Sequence, residues 1–152
     1  MKNLRVWLVP FLIVASLVFS LLHQSNYLTC QVNYRQDKNL IVNGSAIQTE
    51  VVSSPADLAK GLGGRACIGA DEGMLFVFLR PGYYPFWMKD MKFPIDMVWI
   101  NTNHQAVHIA PDVTPSTYPQ SFVNTQLAQY VLELKAGAAN KLGITYGSTI
   151  NF

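Results

Sequence analysis

Charge of either sign is scarce in this sequence. Charged residues make up 13% of the 152 residues, with 11 Lys and Arg against 9 Asp and Glu. The two surplus positive charges are Lys2 and Arg5, which precede the first apolar run, so the rest of the chain is balanced. Proteins that bind nucleic acids need clustered Lys and Arg to contact phosphates. The composition therefore argues against a nucleic-acid partner, and a hydrophobic content of 50% excludes a disordered chain.

Motifs for hydrolytic and metal-dependent chemistry are also missing. The sequence has no Gly-x-Ser-x-Gly motif and no closely spaced Cys and His. His104 and His108 fall on a predicted hairpin, where their spacing separates them by roughly 13 Å, too far for one metal ion. We therefore expect no metal site and no cofactor, and the sequence favours a noncatalytic protein.

An uncharged apolar run occupies residues 6–22. As a helix rising about 1.5 Å per residue it would extend roughly 26 Å, near the lower limit for crossing a bilayer. Lys2 and Arg5 flank its N-terminal end, and the next basic residue is Arg35. Because positive charge is retained in the cytoplasm, this pattern predicts a transmembrane helix that anchors an extracytoplasmic domain to the membrane.

A cleaved signal peptide is the alternative interpretation of the same run. Such a peptide would end in small residues at the cleavage site. The segment after Leu22, HQSNYLTC, fits that requirement poorly, and Tyr27, Leu28 and Thr29 also make a poor lipoprotein site before Cys30. The sequence therefore favours a retained anchor over secretion after cleavage.

The two cysteines, Cys30 and Cys67, would be exported with the domain. In an oxidising compartment they form a candidate disulfide, which the chain-entropy model values at roughly 3 to 4 kcal/mol. Two unrelated thiols remain the alternative, because the sequence does not give the distance between them.

The pattern of polar and apolar residues divides the chain into three predicted segments. Residues 1–22 are the anchor or signal segment, residues 23–45 are a polar tether with room for one strand at 40–42, and residues 46–152 are a compact, mainly β domain. Short helices are predicted at 56–60 and 137–142. Strands are predicted at 47–53, 73–79, 84–89, 96–101, 106–110, 130–135 and 148–152. This is an α+β fold, mainly an antiparallel small barrel or sandwich with two short helices.

Four motifs carry a resemblance to a known family. They are SPADLAKGLGGR, GMLFVF, FWMKDMKFPIDMVWI and YVLELKAGAANKLGITYGSTINF. In order and spacing they resemble the prokaryotic domain of unknown function 192, over about residues 47–152. The resemblance implies a compact, mainly β domain and no particular activity. Asp90 and Met91 depart from the family pattern, which usually has Asn-Thr there.

Charged and aromatic residues within these motifs are the best candidates for a ligand site. They are Arg65, Trp87, Lys89 and Asp96. For Arg65, which follows the glycine-rich turn, the alternative is a structural tie from that turn to a carboxylate or to carbonyl groups. Asp96 lies in an apolar strand, so if its face is buried it needs a cation such as Lys89 or Arg65. Glu133 alternates with two leucines and is predicted on the solvent face of a half-buried strand, although it could line a groove.

Two functions are consistent with these residues. The favoured one is an exported, membrane-tethered, noncatalytic module whose rim around Arg65, Trp87, Lys89 and Asp96 binds a small molecule or a cell-envelope component. The alternative is an unrecognised enzyme that uses Asp96 as acid or base with Lys89 as electrostatic partner.

Overall fold

The computed structural model describes residues 34–152. Within them the chain forms nine strands, two short α-helices and one 3-10 turn at Pro115–Thr117. In chain order the elements are β1 (Lys38–Val42), β2 (Ser45–Val52), α1 (Pro55–Lys60), β3 (Glu72–Gly82), β4 (Phe86–Trp87), β5 (Ile95–Ile100), β6 (Ala106–Val113), β7 (Ser121–Phe122), β8 (Ala128–Lys135), α2 (Ala138–Lys141) and β9 (Ile150–Asn151).

Seven of these strands form one curled sheet. Its order is β6-β5-β8-β3-β2-β1-β9, and β4 pairs with β7 in a separate two-stranded ribbon. The ends of the sheet approach each other, since Ile150 N donates to His104 O at 2.8 Å and Ala106 N donates to Ser148 O at 2.9 Å. The result is a mostly β half-barrel with two short helices, which confirms the predicted α+β class.

One strand pair departs from the expected antiparallel pattern. β2 and β3 are parallel, and α1 lies in the connection between them. Parallel neighbours need such a crossover, because a tight hairpin turn reverses the chain. α1 begins as predicted, with the Ser54 hydroxyl accepting from the Asp57 amide and Pro55 at the first helical position. It ends at Gly61, whose φ is +50°.

Both faces of the sheet are covered by side chains. On one face lies a cluster rich in aromatic residues, including Phe76, Phe86 and Trp99, which we call the aromatic core. On the other lies an aliphatic core that includes Leu40, Leu132 and residues of α2. A strand at the centre of this sheet therefore has no solvent face, and polar side chains on either face are buried as well.

The predicted strand at 84–89 is much shorter in the structure. Only Phe86–Trp87 is extended and paired, with β7 as its partner. The hairpin predicted at 101–104 is present between β5 and β6, where His104 N donates to Asn101 O at 3.0 Å.

The N-terminal predictions fall outside the described residues. The predicted anchor at 6–22, most of the predicted tether and Cys30 all precede Tyr34, so the anchor and the disulfide to Cys67 stay predictions. The sheet itself begins at Lys38, within the stretch predicted as tether. Neither helix in the part of the chain that the structure describes has the length and hydropathy of a membrane span.

Candidate ligand-binding site

An open cavity of about 200 Å³ lies on the aromatic side of the sheet. Its bottom includes the carboxyl of Glu133, its rim includes Lys60 and Lys89, and one side is the glycine-rich segment 61–63. The remaining wall is mainly aromatic and is made by Phe76, Phe78, Tyr84, Phe86 and Trp87. We call this space the Glu133 cavity.

The aromatic wall is held by ring-to-ring contacts. Phe78 stacks on Tyr84 with centroids 3.6 Å apart, and Phe76 meets Phe86 edge-on at 4.8 Å. Trp99 lies behind Phe86 and donates its indole N–H to Tyr84 O at 2.9 Å. These contacts hold the aromatic side chains in place, so the cavity is present in the folded protein without any rearrangement.

Glu133 is placed in the cavity by the centre of the sheet. It lies on β8 between Met74 of β3 and Met97 of β5, so its side chain points into the aromatic core. The residue is 4% exposed, and within the described residues its Oε2 has no hydrogen-bond partner. Burial raises the pKa of Glu133 to about 8, and the nearby Arg65 only partly offsets this effect.

Arg65 secures the loop that faces Glu133. Its Nη1 and Nη2 donate to Oε1 and Oε2 of Glu50 at 2.6 and 2.8 Å, a bidentate pair. Burial opposes ionisation of Glu50, yet the hydrogen bonds from Arg65 and from the Arg35 amide, together with the charges of both arginines, outweigh burial and hold the pKa of Glu50 below its ordinary value. The same hydrogen bonds raise the pKa of Arg65. Both terminal nitrogens of Arg65 are therefore committed to Glu50.

Glu50 and Glu133 belong to one row across the sheet. Glu50 is level with Met74, and Met74 is level with Glu133. Two strand spacings separate the two glutamates, a backbone distance of roughly 10 Å. One buried carboxyl of this row is fully paired, and the other faces the cavity.

Gly61 allows the loop to approach this row closely. A Cβ at Gly61 would lie 3.1 Å from Cζ of Phe76 and 3.8 Å from Oε2 of Glu133. Its positive φ also favours glycine. The glycine-rich segment thus serves both as the end of α1 and as a thin wall beside the carboxyl.

The structure separates the four residues predicted as a ligand rim. Trp87 and Lys89 line the Glu133 cavity, whereas Arg65 holds the adjacent loop through Glu50. Asp96 lies elsewhere, on β5, and is fully buried. Its Oδ1 accepts from the Asp112 amide and its Oδ2 from the Ala139 amide, each at 2.8 Å. Within residues 34–152, backbone amides therefore take the place of the cation that we expected beside Asp96.

Glu133 is the residue that sequence reasoning placed on the wrong side. Alternation with Leu132 and Leu134 indicated a solvent face, but that argument holds only for a sheet with one covered face. A signal was present in the sequence, because Val131 shares the face of Glu133 and is apolar. The suggestion that Glu133 lines a groove agrees with the cavity.

The donor set does not suggest a metal. In the described part of the chain, no three His, Cys, Asp or Glu side chains come together as metal ligands. What the cavity offers is one carboxyl, aromatic faces and two lysines, a set suited to an organic ligand.

The raised pKa of Glu133 predicts a specific dependence of stability on pH. A carboxyl whose pKa is higher in the folded state keeps its proton there, so ionisation favours unfolding once the pH exceeds its ordinary value near 4.5. Between about pH 5.5 and about pH 7, the wild type should lose about 2 kcal/mol of unfolding free energy relative to Glu133→Gln. Urea denaturation of both chains at several pH values measures this difference.

Glu50→Gln is the matched control for this measurement. Glu50 is buried on the same face, but its pKa is lowered, so it is ionised in both states across this pH range. The difference between wild type and Glu50→Gln should stay constant. Parallel stability profiles for wild type and Glu133→Gln would show that Glu133 is not held in its protonated form.

Comparison with known proteins points to one family. The model of DUF192, described as an uncharacterised conserved family, matches residues 38–152. A solved structure of a protein of unknown function from Novosphingobium aromaticivorans has 27% identity and a TM-score of 0.71, over 75% of this chain and 84% of that one. Another, from Sinorhizobium meliloti, is described as a candidate transcription regulator, with 28% identity and a TM-score of 0.69 over 74% and 89% of the two chains. None of the curated proteins matches the chain significantly.

Proposed function

Since the chain belongs to the DUF192 family, whose description carries no activity, we propose its function from the Glu133 cavity: noncatalytic binding of a small molecule, with Glu133 as the group that anchors it. The ligand is either a free solute or part of a cell-envelope component. In this proposal Trp87 and Lys89 keep the role predicted for them, whereas Arg65 supports the loop and Asp96 supports the fold.

The observation that carries the proposal is the unpartnered carboxyl oxygen of Glu133. A buried polar atom without a hydrogen bond costs about 1 to 3 kcal/mol, so such atoms are uncommon in folded proteins. Here the residue that carries this atom lines an open cavity with an aromatic wall. A ligand with a donor group satisfies the carboxyl and covers the apolar rings at the same time.

We also propose that the domain acts outside the cytoplasm, held at the membrane by residues 6–22. The argument is the charge asymmetry around that run, with Lys2 and Arg5 on one side of it. Digestion of the domain by protease added to intact spheroplasts supports this placement. Full protection of the domain until lysis contradicts it.

A fragment screen by NMR tests the binding function. Fragments that bind the full-length chain in detergent should shift the backbone amide signals of Gly61, Trp87 and Lys89. Those shifts should disappear in Glu133→Gln, whose melting curve verifies that it is folded. Fragments that bind only elsewhere, or equally well to Glu133→Gln, would contradict the proposal.

Acid–base catalysis at Glu133 is a second candidate, favoured by its pKa of about 8. A carboxyl that titrates near neutral pH can both accept and donate a proton. The same NMR samples distinguish the two functions. Chemical conversion of a bound fragment over hours by the wild type, with binding but no conversion in Glu133→Gln, indicates catalysis. An unchanged fragment spectrum indicates binding alone.

A further inference from the structure

We propose that the ligand of the Glu133 cavity is a small zwitterion, bound with its ammonium group inward at Glu133 and its anionic group outward at Lys60 and Lys89. This inference rests on the proposed binding function and adds the chemical class of the ligand.

One carboxyl oxygen of Glu133 lacks a hydrogen-bond donor among the described residues. Oε2 of Glu133 is buried without a hydrogen bond in the described part of the chain. Arg65 has an electrostatic effect on this carboxyl, but both of its terminal nitrogens donate to Glu50. An ammonium group brings N–H donors and a positive charge to this oxygen.

The wall suits the same group. Phe76, Phe86 and Trp87 present aromatic surface around the carboxyl, and aromatic faces attract a cation held against them. An inward ammonium therefore has both a charged partner and a cation-binding wall.

The rim has the opposite charge. Lys60 and Lys89 line the cavity and are exposed, and within residues 34–152 neither has an ion-pair partner. A ligand with only a positive charge would face these lysines at the mouth. A ligand with only a negative charge would place an anion toward the carboxyl. A ligand with both charges complements the two ends.

The size of the cavity limits the ligand. A cavity of about 200 Å³ has room for a small metabolite. Typical drug-sized pockets begin at about 300 Å³. Single amino acids and ω-amino acids fall within this limit.

Binding of an ammonium group should depend on pH. The groups around Glu133 that carry or can acquire charge are Lys60, Lys89, Arg65 with its partner Glu50, and Tyr84. An ammonium binds the ionised carboxyl, so below the pKa of Glu133, about 8, each added pH unit should raise the affinity roughly tenfold. A neutral ligand that accepts from the protonated carboxyl would show no such increase.

Calorimetry on the full-length chain with matched probes tests the charge requirement. L-Leucine is compared with 3-methylbutylamine and 4-methylpentanoate, and 5-aminopentanoate with butylamine and pentanoate. At least one of the two zwitterions should bind at least tenfold tighter than its own amine and acid, and about tenfold tighter at pH 7 than at pH 6. Equal affinities within both sets, or no binding of either zwitterion, overturn the proposal.

Two variants complete the test. Lys89→Gln should weaken zwitterion binding at least fivefold without weakening amine binding, whereas Lys92→Gln, at an exposed lysine outside the cavity lining, should change neither. Glu133→Gln should abolish binding of zwitterion and amine. If an uncharged probe such as 4-methylpentanamide binds and its binding requires Glu133, the zwitterion proposal is wrong. The proposed binding function would still be supported by that result. The binding function itself fails only if the fragment screen finds no ligand that depends on Glu133.

Discussion

Replacing Arg65 by Met should lower the unfolding free energy by about 3 kcal/mol. The variant keeps a long side chain but leaves the buried carboxylate of Glu50, with 4% of its side chain exposed, without its bidentate partner. Removal of one member of a buried pair is costly because the remaining charge has been taken out of water. Urea denaturation at pH 7 measures the loss.

Arg35→Met is the matched control for Arg65→Met. Arg35 also approaches Glu50, but at 3.7 Å and with 56% of its side chain exposed. Exposed pairs contribute about 1 kcal/mol or less, so this variant should change stability little. Similar losses of unfolding free energy in the two variants would mean that the bidentate geometry adds nothing to the stability of the fold.

The Arg65–Glu50 pair also predicts how acid acts on the fold. The pKa of Glu50 is lowered in the folded state, so its stabilising contribution is fully present above its ordinary pKa and is lost as the pH falls through the lowered value. The stability difference between wild type and Arg65→Met should therefore shrink in acid.

Replacing Asp96 by Ala should cost about 4 kcal/mol, since hydrogen bonds to a charged acceptor contribute about 1.5 to 3 kcal/mol each. The carboxylate accepts from two amides on separate elements, Asp112 at the end of β6 and Ala139 in α2. Alanine leaves both N–H groups without this acceptor, and the Ala139 bond is buried. Thermal or urea denaturation of the full-length variant measures the loss.

Asp71→Ala provides the comparison for Asp96→Ala. Asp71 is exposed, and an exposed position of this kind changes stability by about 0.5 kcal/mol or less. If Asp96→Ala were as stable as Asp71→Ala but lost a ligand-dependent signal, Asp96 would belong to a site rather than to the framework. A large loss of stability assigns it to the framework.

The helix ends and the hairpin could be predicted because they depend only on residues that are close together in the sequence. Ser54 and Pro55 mark the start of α1, Gly61 marks its end, and the turn at 101–104 marks a hairpin. The parallel pairing of β2 with β3 could not be predicted in the same way, because it depends on contacts between segments that are distant in sequence. The predicted strand at 84–89 failed for a related reason: its aromatic residues pack as cavity wall rather than pair along their length.

The candidate site was predicted in part. Trp87 and Lys89 were identified from charge and aromatic content, which do not depend on the face that a residue occupies. Glu133 and Asp96 were misjudged because both depend on what covers the sheet. The alternation around Glu133 predicts a solvent face, but both faces of the sheet are covered and Glu133 is buried. The apolar surroundings of Asp96 predict a cation beside it, but its carboxylate accepts from two backbone amides.

The positions of two tryptophans give the domain an intrinsic optical reporter. Trp87 is 52% exposed at the mouth of the cavity, whereas Trp99 is fully buried with its indole N–H bonded to Tyr84 O. A molecule that enters the cavity changes the polarity around the first indole and leaves the surroundings of the second unchanged. In the variant Trp7→Phe, where these two are the tryptophans that remain, fluorescence emission therefore reads occupancy of the cavity against an internal reference, without any label attached to the protein.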